Sequence, residues 1–248
     1  MTLTFAGAGP SSALGALDYP EPIILQPLKR HTSTLIMLHG LGDSGAGWAD
    51  IGPLMQPDLP HTRFIFPTAP VRSITLNEGM SMPGWYDIAD LNRLGADQDV
   101  ESMRESKRYV ESIIQQEMAL GIPSTSIAVG GFSQGGAMSL LMLRSTIKLG
   151  GVVGLSSYLP MHEELPLASD ENLETPVLLC HGDCDQVVHY KYGEASFDLL
   201  RAAGCKVEFQ AYDFMGHEAC PEELQALRDF LKGCFAPPAK RWLPFNRR

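Results

Sequence analysis

Residues 126–143 read SIAVGGFSQGGAMSLLML, and the fold turns on them. Ile127, Ala128 and Val129 make the short apolar run of a strand buried on both faces. Ala137 to Leu143 is apolar almost all round, the pattern of a helix sunk into a domain interior. Between them Gly131-Phe132-Ser133-Gln134-Gly135 matches G-x-S-x-G, an elbow that strains its serine and demands small neighbours. Gly130, Gly131, Gly135 and Gly136 supply them. Five residues alone also fit a glycine-rich turn. The strand before and the helix after make Ser133 a candidate nucleophile, with the helix's free N–H groups aimed at whatever it attacks.

Outward from the elbow, strands and helices alternate. Ile23 to Leu25, Thr34 to Leu38, Arg63 to Phe66, Gly151 to Leu155, Val177 to Cys180 and Lys206 to Tyr212 read as strands. Helices are expected over Trp48 to Met55, Asp97 to Leu120, Tyr190 to Ala203 and Pro221 to Leu231. Alternation of this kind predicts a mostly parallel sheet with helices on both faces. Thr68 to Asp90 shows neither period and carries Pro70, Met80, Met82, Pro83, Trp85 and Tyr86, which suggests a functional loop. Residues 1–17 read as a flexible leader, 18–236 as one α/β domain, and 237–248 as a basic–aromatic tail.

A serine hydroxyl needs a histidine base, and the histidine needs a carboxylate to fix its tautomer. On an elbow of this kind the acid and then the base follow the serine along the chain. His217, in Phe214-Met215-Gly216-His217-Glu218 between a strand and a helix, is the candidate base. Asp183 and Asp185 both follow the Val177 strand at the right edge, and spacing does not choose between them. Asp183 has a structural alternative, accepting backbone N–H bonds in its turn. Asp185 precedes Val187 and Val188, which suit a turn aiming its carboxylate inward. The oxyanion hole calls for the N–H of Gln134 and one from the His39-Gly40-Leu41-Gly42 loop, where Leu41 is the expected donor. His39 is expected to brace that loop rather than move protons.

Composition bounds the rest. The 248 residues suit one domain with a substantial core. A formal net charge of −10 argues against a nucleic-acid partner. No apolar run approaches the roughly 18 residues needed to cross a bilayer, and the N-terminus lacks the charge and apolar pattern of a secretory signal. The five cysteines are irregularly spaced and suit reduced thiols in the cytoplasm. Cys180, His181 and Cys184 lack a fourth ligand, so no metal is expected. Cys184 lies between two carboxylates that disfavour its thiolate.

The segments LHGLGDSGAGW, FPTAPVRSITLNEGMSMPGWYDI, GIPSTSIAVGGFSQGGAMSL and CHGDCDQVV together resemble the acyl-protein thioesterase (lysophospholipase/carboxylesterase) family of α/β-hydrolases. The likeness spans about Ile36 to Leu231. It implies an α/β-hydrolase fold, Ser133 as nucleophile, Asp185 as acid, His217 as base, and Leu41 and Gln134 as oxyanion donors. It further implies an acyl-chain channel formed by Leu76, Met80, Met82 and Trp85. The expected activity is depalmitoylation of S-acylated proteins without a cofactor; the alternative is a generalist carboxylesterase or lysophospholipase. The expected state is a monomer or homodimer. Three departures stand out: His189 replaces a frequent proline, the leader has no cysteine for acylation, and Lys240 to Arg248 extends past the usual end. That tail carries Lys240, Arg241, Arg247 and Arg248 among Trp242, Leu243 and Phe245; the expectation is a disordered or self-packed segment, with transient docking on anionic lipid as the alternative.

Overall fold

A computed structural model describes residues 18–91 and 98–236. The leader at 1–17 and the tail at 237–248, with the expectations attached to them, lie outside the described residues. Seven strands form the central sheet: β1 (Ile23–Leu25), β2 (Ser33–Leu38), β3 (Thr62–Phe66), β6 (Ile127–Phe132), β7 (Gly151–Leu155), β8 (Val177–Gly182) and β9 (Val207–Tyr212). Their spatial order is β1-β3-β2-β6-β7-β8-β9. Only the edge pair β1–β3 is antiparallel; the other neighbours run parallel.

Period-two alternation sorts the core onto the two faces of this sheet. Leu35 and Met37 of β2 face one side, with Phe64, Trp48, Leu227 and Leu231. Ile36 and Leu38 face the other, with Val129, Met138, Ile114 and Leu200. Helices α1 (Gly45–Ala49), α2 (Ile51–Met55) and α6 (Pro221–Phe235) supply the first face. Helices α3 (Val100–Ala119), α4 (Gln134–Leu141) and α5 (Tyr190–Ala202) supply the second. The helix expected over Trp48 to Met55 divides into α1 and α2 around Asp50, which closes one and opens the next. All eight residues of α4 are buried, which is why its sequence has no polar face.

The chain winds outward from β2 to β3, then returns to the other side of β2 to build β6 through β9. The reversal makes the β2–β6 boundary the switch point of the sheet, where loops splay apart and leave a crevice. The Thr68 to Asp90 segment, read as an irregular loop, contains an antiparallel hairpin of β4 (Val71–Ile74) and β5 (Met80–Pro83). Its alternation is masked because both strands lie largely outside the core: Val71 and Met80 are 62% and 64% exposed. No helix among the described residues is long and apolar enough to cross a membrane.

Candidate active site

Ser133 caps the transition from β6 to α4 with φ 54° and ψ −119°, a region that costs a non-glycine residue of order 1–3 kcal/mol. The surroundings enforce it. A Cβ on Gly131 would strike the Gly135 carbonyl, and one on Gly135 would strike the carbonyls of Leu38 and His39. The Ser133 amide donates to Leu155 O of β7 (2.8 Å), and its carbonyl accepts from Ala137 (3.0 Å). The turn is thus tied to β7 on one side and to the first turn of α4 on the other.

His217 reaches the elbow from the loop between β9 and α6. Its Nε2 lies 3.0 Å from Ser133 Oγ, and its Nδ1 lies 2.7 Å from Asp185 Oδ2. An ionised Asp185 accepts the Nδ1 proton, so Nε2 is left to accept from the serine hydroxyl. Phe132 packs against the imidazole at 4.7 Å between ring centroids and limits its swing.

Asp185 is almost wholly buried. Burial opposes its ionisation, but hydrogen bonds from His181 and His217, the electrostatic influence of the His217 ring and the Val187 amide outweigh it. The carboxyl is held well below the usual carboxylate range. Its Oδ1 accepts from the Val187 and Val188 amides at 2.8 and 2.9 Å, the turn that orients it. His181, also buried, places Nε2 2.7 Å from Val188 O and 3.4 Å from Asp185 Oδ2, a third support that the sequence reading did not single out.

Asp183 does something else. Its Oδ1 accepts from the Phe214 amide (2.7 Å), while its own amide donates to Tyr212 O (3.1 Å). Cys184 N also donates to Met215 O (3.1 Å). These bonds lace the Asp185 loop to the His217 loop. His189, where the resemblance leads one to look for proline, holds φ −53° and ψ 138°, a conformation open to proline as well.

The two segments expected to supply the oxyanion hole lie side by side at the switch point. A Cβ on Gly40 would sit 3.4 Å from Ser133 Cβ, so the His39–Gly42 loop lies against the elbow. Gly42 and Asp43 donate to Pro83 O and Gly40 O, whereas the amides of Leu41 and Gln134 have no acceptor among the described residues. His39 is a brace: Nε2 accepts from Ala69 N (2.9 Å) and Nδ1 donates to Gly40 O (2.7 Å). That pair of bonds requires the neutral ring, and burial lowers its pKa accordingly.

The four residues expected to wall an acyl channel separate. Met82 lies beside the His39–Gly42 loop, its sulfur 3.5 Å from where a Cβ on Gly42 would sit. Leu76 is half-buried against the core, and Met80 faces solvent. Trp85 is a correction: it has no exposed surface and donates its indole N–H to His39 O (2.9 Å). It packs as core and has no face to offer a chain. The thiols are inert by environment: burial pushes Cys180 far up, and a hydrogen bond to Asp183 raises Cys184.

The profile of the phospholipase/carboxylesterase family matches residues 20–235. Acyl-protein thioesterase 1 of Neurospora crassa is 44% identical, over 88% of this chain and 93% of its own length. Acyl-protein thioesterase 1 homolog 1 of Dictyostelium discoideum is 44% identical, over 84% and 93%. Among solved structures, acyl-protein thioesterase 2 of Zea mays superposes with a TM-score of 0.77 at 34% identity, covering 88% of this chain and all (100%) of that one. Arabidopsis thaliana SOBER1 gives 0.78 at 32%, covering 83% and 100%. The chain belongs to the phospholipase/carboxylesterase family of α/β-hydrolases, and it is a serine hydrolase.

Proposed function

We propose that this protein removes long acyl chains from S-acylated polypeptides by hydrolysing the thioester. Ser133, His217 and Asp185 carry the chemistry and the Leu41 and Gln134 amides form the oxyanion hole. The supporting observation is the unbroken relay from Ser133 Oγ through His217 (3.0 and 2.7 Å) to a carboxylate held ionised.

As Ser133 Oγ bonds to the thioester carbon, its proton passes to His217 Nε2. The carbonyl π electrons move onto oxygen, where the two amides meet the new charge. Collapse of the tetrahedral species breaks the C–S bond, and the imidazolium returns its proton to the leaving thiolate. Asp185 stabilises that imidazolium while remaining ionised. A water then takes the serine's part: it gives its proton to His217, attacks the acyl carbon, and releases the fatty acid as Ser133 recovers its hydrogen. No cofactor enters, because fixed dipoles and one histidine supply every charge and proton.

The exposed apolar residues Met80, Val187 and Phe214 near these loops favour a substrate with a greasy chain. The relatives' names favour an acylated polypeptide as its carrier. The family description favours a second reading, a carboxylesterase or lysophospholipase acting on small esters or lysolipids. Five free cysteines suit a reducing cytoplasm.

Ser133→Ala tests the reading. It should abolish esterase activity and labelling by a fluorophosphonate probe; retention of either overturns the assignment. Rates on an S-palmitoylated peptide compared with p-nitrophenyl esters of rising length separate the two substrates, and preference for the shortest ester refutes the thioesterase.

A further inference from the structure

Beyond the relay, Gln134 at the switch point is buried with both ends of its carboxamide hydrogen-bonded. It is 1% exposed, so its carboxamide cannot reach solvent and must find partners in the protein. Oε1 accepts from Trp85 N (2.8 Å), and Nε2 donates to Tyr86 O (2.7 Å). The side chain thus grips one peptide segment at two points, while its own backbone N–H is the one that follows Ser133 in the chain.

The gripped segment is itself held. Ser106 Oγ of α3 donates to Trp85 O (2.5 Å), and the Tyr86 hydroxyl meets that of Tyr158 (2.6 Å). Trp85 passes the connection on, through its indole N–H to His39 O (2.9 Å). His39 immediately precedes Gly40-Leu41, and Gly42 N is tied to Pro83 O (2.8 Å), two residues before Trp85. The Leu41 and Gln134 amides come from loops far apart along the chain. Both are therefore referenced to the same Pro83–Tyr86 segment.

We propose that the Gln134 carboxamide is a positioning residue that sets the spacing between the Leu41 and Gln134 amides, with Trp85 as the strut joining the two halves. This rests on the oxyanion assignment made above. An oxyanion donor works only when it lies at hydrogen-bond distance from where the charge develops. A few tenths of an ångström of slack between the amides weakens the tetrahedral species more than the bound ester. The defect therefore falls on kcat and leaves KM almost unmoved.

The experiment uses the full chain and three variants, checked for folding by circular dichroism and melting temperature. Gln134→Leu removes both grips; kcat should fall by about 10²-fold, with KM within about threefold. Affinity for an alkylboronic acid, which binds as a tetrahedral adduct, should drop in parallel. Trp85→Phe removes only the indole bond to His39 and should lower kcat by about tenfold with the same unmoved KM.

Gln134→Glu is the diagnostic change. When protonated, the new carboxyl accepts from Trp85 N and donates to Tyr86 O, restoring both grips. When ionised it has nothing to donate and faces the Tyr86 carbonyl with like partial charge. Its kcat should approach the parent's at the acid end of the active range and fall away as pH rises, adding a descending limb that the parent lacks. A merely structural glutamine would instead shift melting temperature or KM and add no such limb.

Parent-like kcat in Gln134→Leu, a loss residing in KM, or a kcat–pH profile of Gln134→Glu parallel to the parent's overturns the proposal. If Gln134→Leu does not fold, the pH profile of Gln134→Glu alone decides. Should Ser133→Ala stay active, the underlying hydrolase reading fails. An inactive Ser133→Ala beside a fully active Gln134→Leu condemns only the positioning role.

Discussion

Replacing Asp185 with asparagine isolates what the carboxylate contributes beyond geometry. Asp185 Oδ1 holds the Val187 and Val188 amides at 2.8 and 2.9 Å, and an asparagine oxygen can keep both bonds. Its nitrogen must then face His217 Nδ1, where Asp185 Oδ2 now sits 2.7 Å away. That nitrogen only donates. The imidazole has to present a lone pair at Nδ1 and move its proton to Nε2, 3.0 Å from Ser133 Oγ. The base would then offer a proton where it should take one. A wrong tautomer of this kind lowers turnover by about 10⁴-fold, or about 5.4 kcal/mol of barrier. Both turn bonds survive, so the melting temperature should drop by no more than about 5 °C. Steady-state hydrolysis of a p-nitrophenyl ester, with a melting curve on the same preparation, measures both. Asp183→Asn is the control: it keeps an oxygen for the Phe214 amide (2.7 Å), and turnover should stay within about threefold. Asp185→Asn with more than a tenth of parental activity, or Asp183→Asn as the more damaged variant, refutes this account.

Gly135→Ala drives a methyl into the Leu38 and His39 carbonyls; a stability loss of about 2 kcal/mol or more should appear as an earlier urea midpoint. His39 must remain neutral to accept from Ala69 N, and burial holds its pKa below the ordinary 6.5. The unfolded chain therefore binds the extra proton first, and stability falls as pH drops below about 6.5. Urea midpoints measured between pH 7 and 5 should fall more steeply for the parent than for His39→Gln. Glu223 is the opposite case: buried, with neither carboxyl oxygen hydrogen-bonded, and pushed up to about 8 by burial. The unfolded carboxyl ionises near 4.5 while the folded one stays protonated, so stability declines as pH rises from there toward about 8. Glu223→Met should be more stable than the parent by a margin that widens from pH 5 to pH 8; a constant margin would contradict the assignment.

Much of this arrangement is legible in the sequence where a local rule governs it. The strands announce themselves because β2, β6, β7 and β8 are buried on both faces, which writes short apolar runs into the chain. Glycines around Ser133 mark the elbow because the backbones there touch. Other features depend on what lies across the fold. The hairpin of β4 and β5 escaped because its residues pack little and carry no alternation. Trp85 looked like a pocket wall since an aromatic among methionines and prolines reads the same whether its indole faces a ligand or a buried carbonyl. Asp183 and Asp185 are equivalent by spacing; their partners across the fold tell them apart, the Phe214 amide for Asp183 and the His217 ring for Asp185. The Gln134 carboxamide was unreadable for the same reason, as both its partners belong to a distant segment.

Among the described residues β9 is the last strand along the chain, and the loop that delivers His217 follows it, ahead of α6. A ribosome making this chain releases the elbow and the Asp185 loop well before His217, the proposed base. A chain cut short after β8 would lack His217, so in the proposed relay Ser133 would have no proton acceptor until β9 and the loop after it were in place.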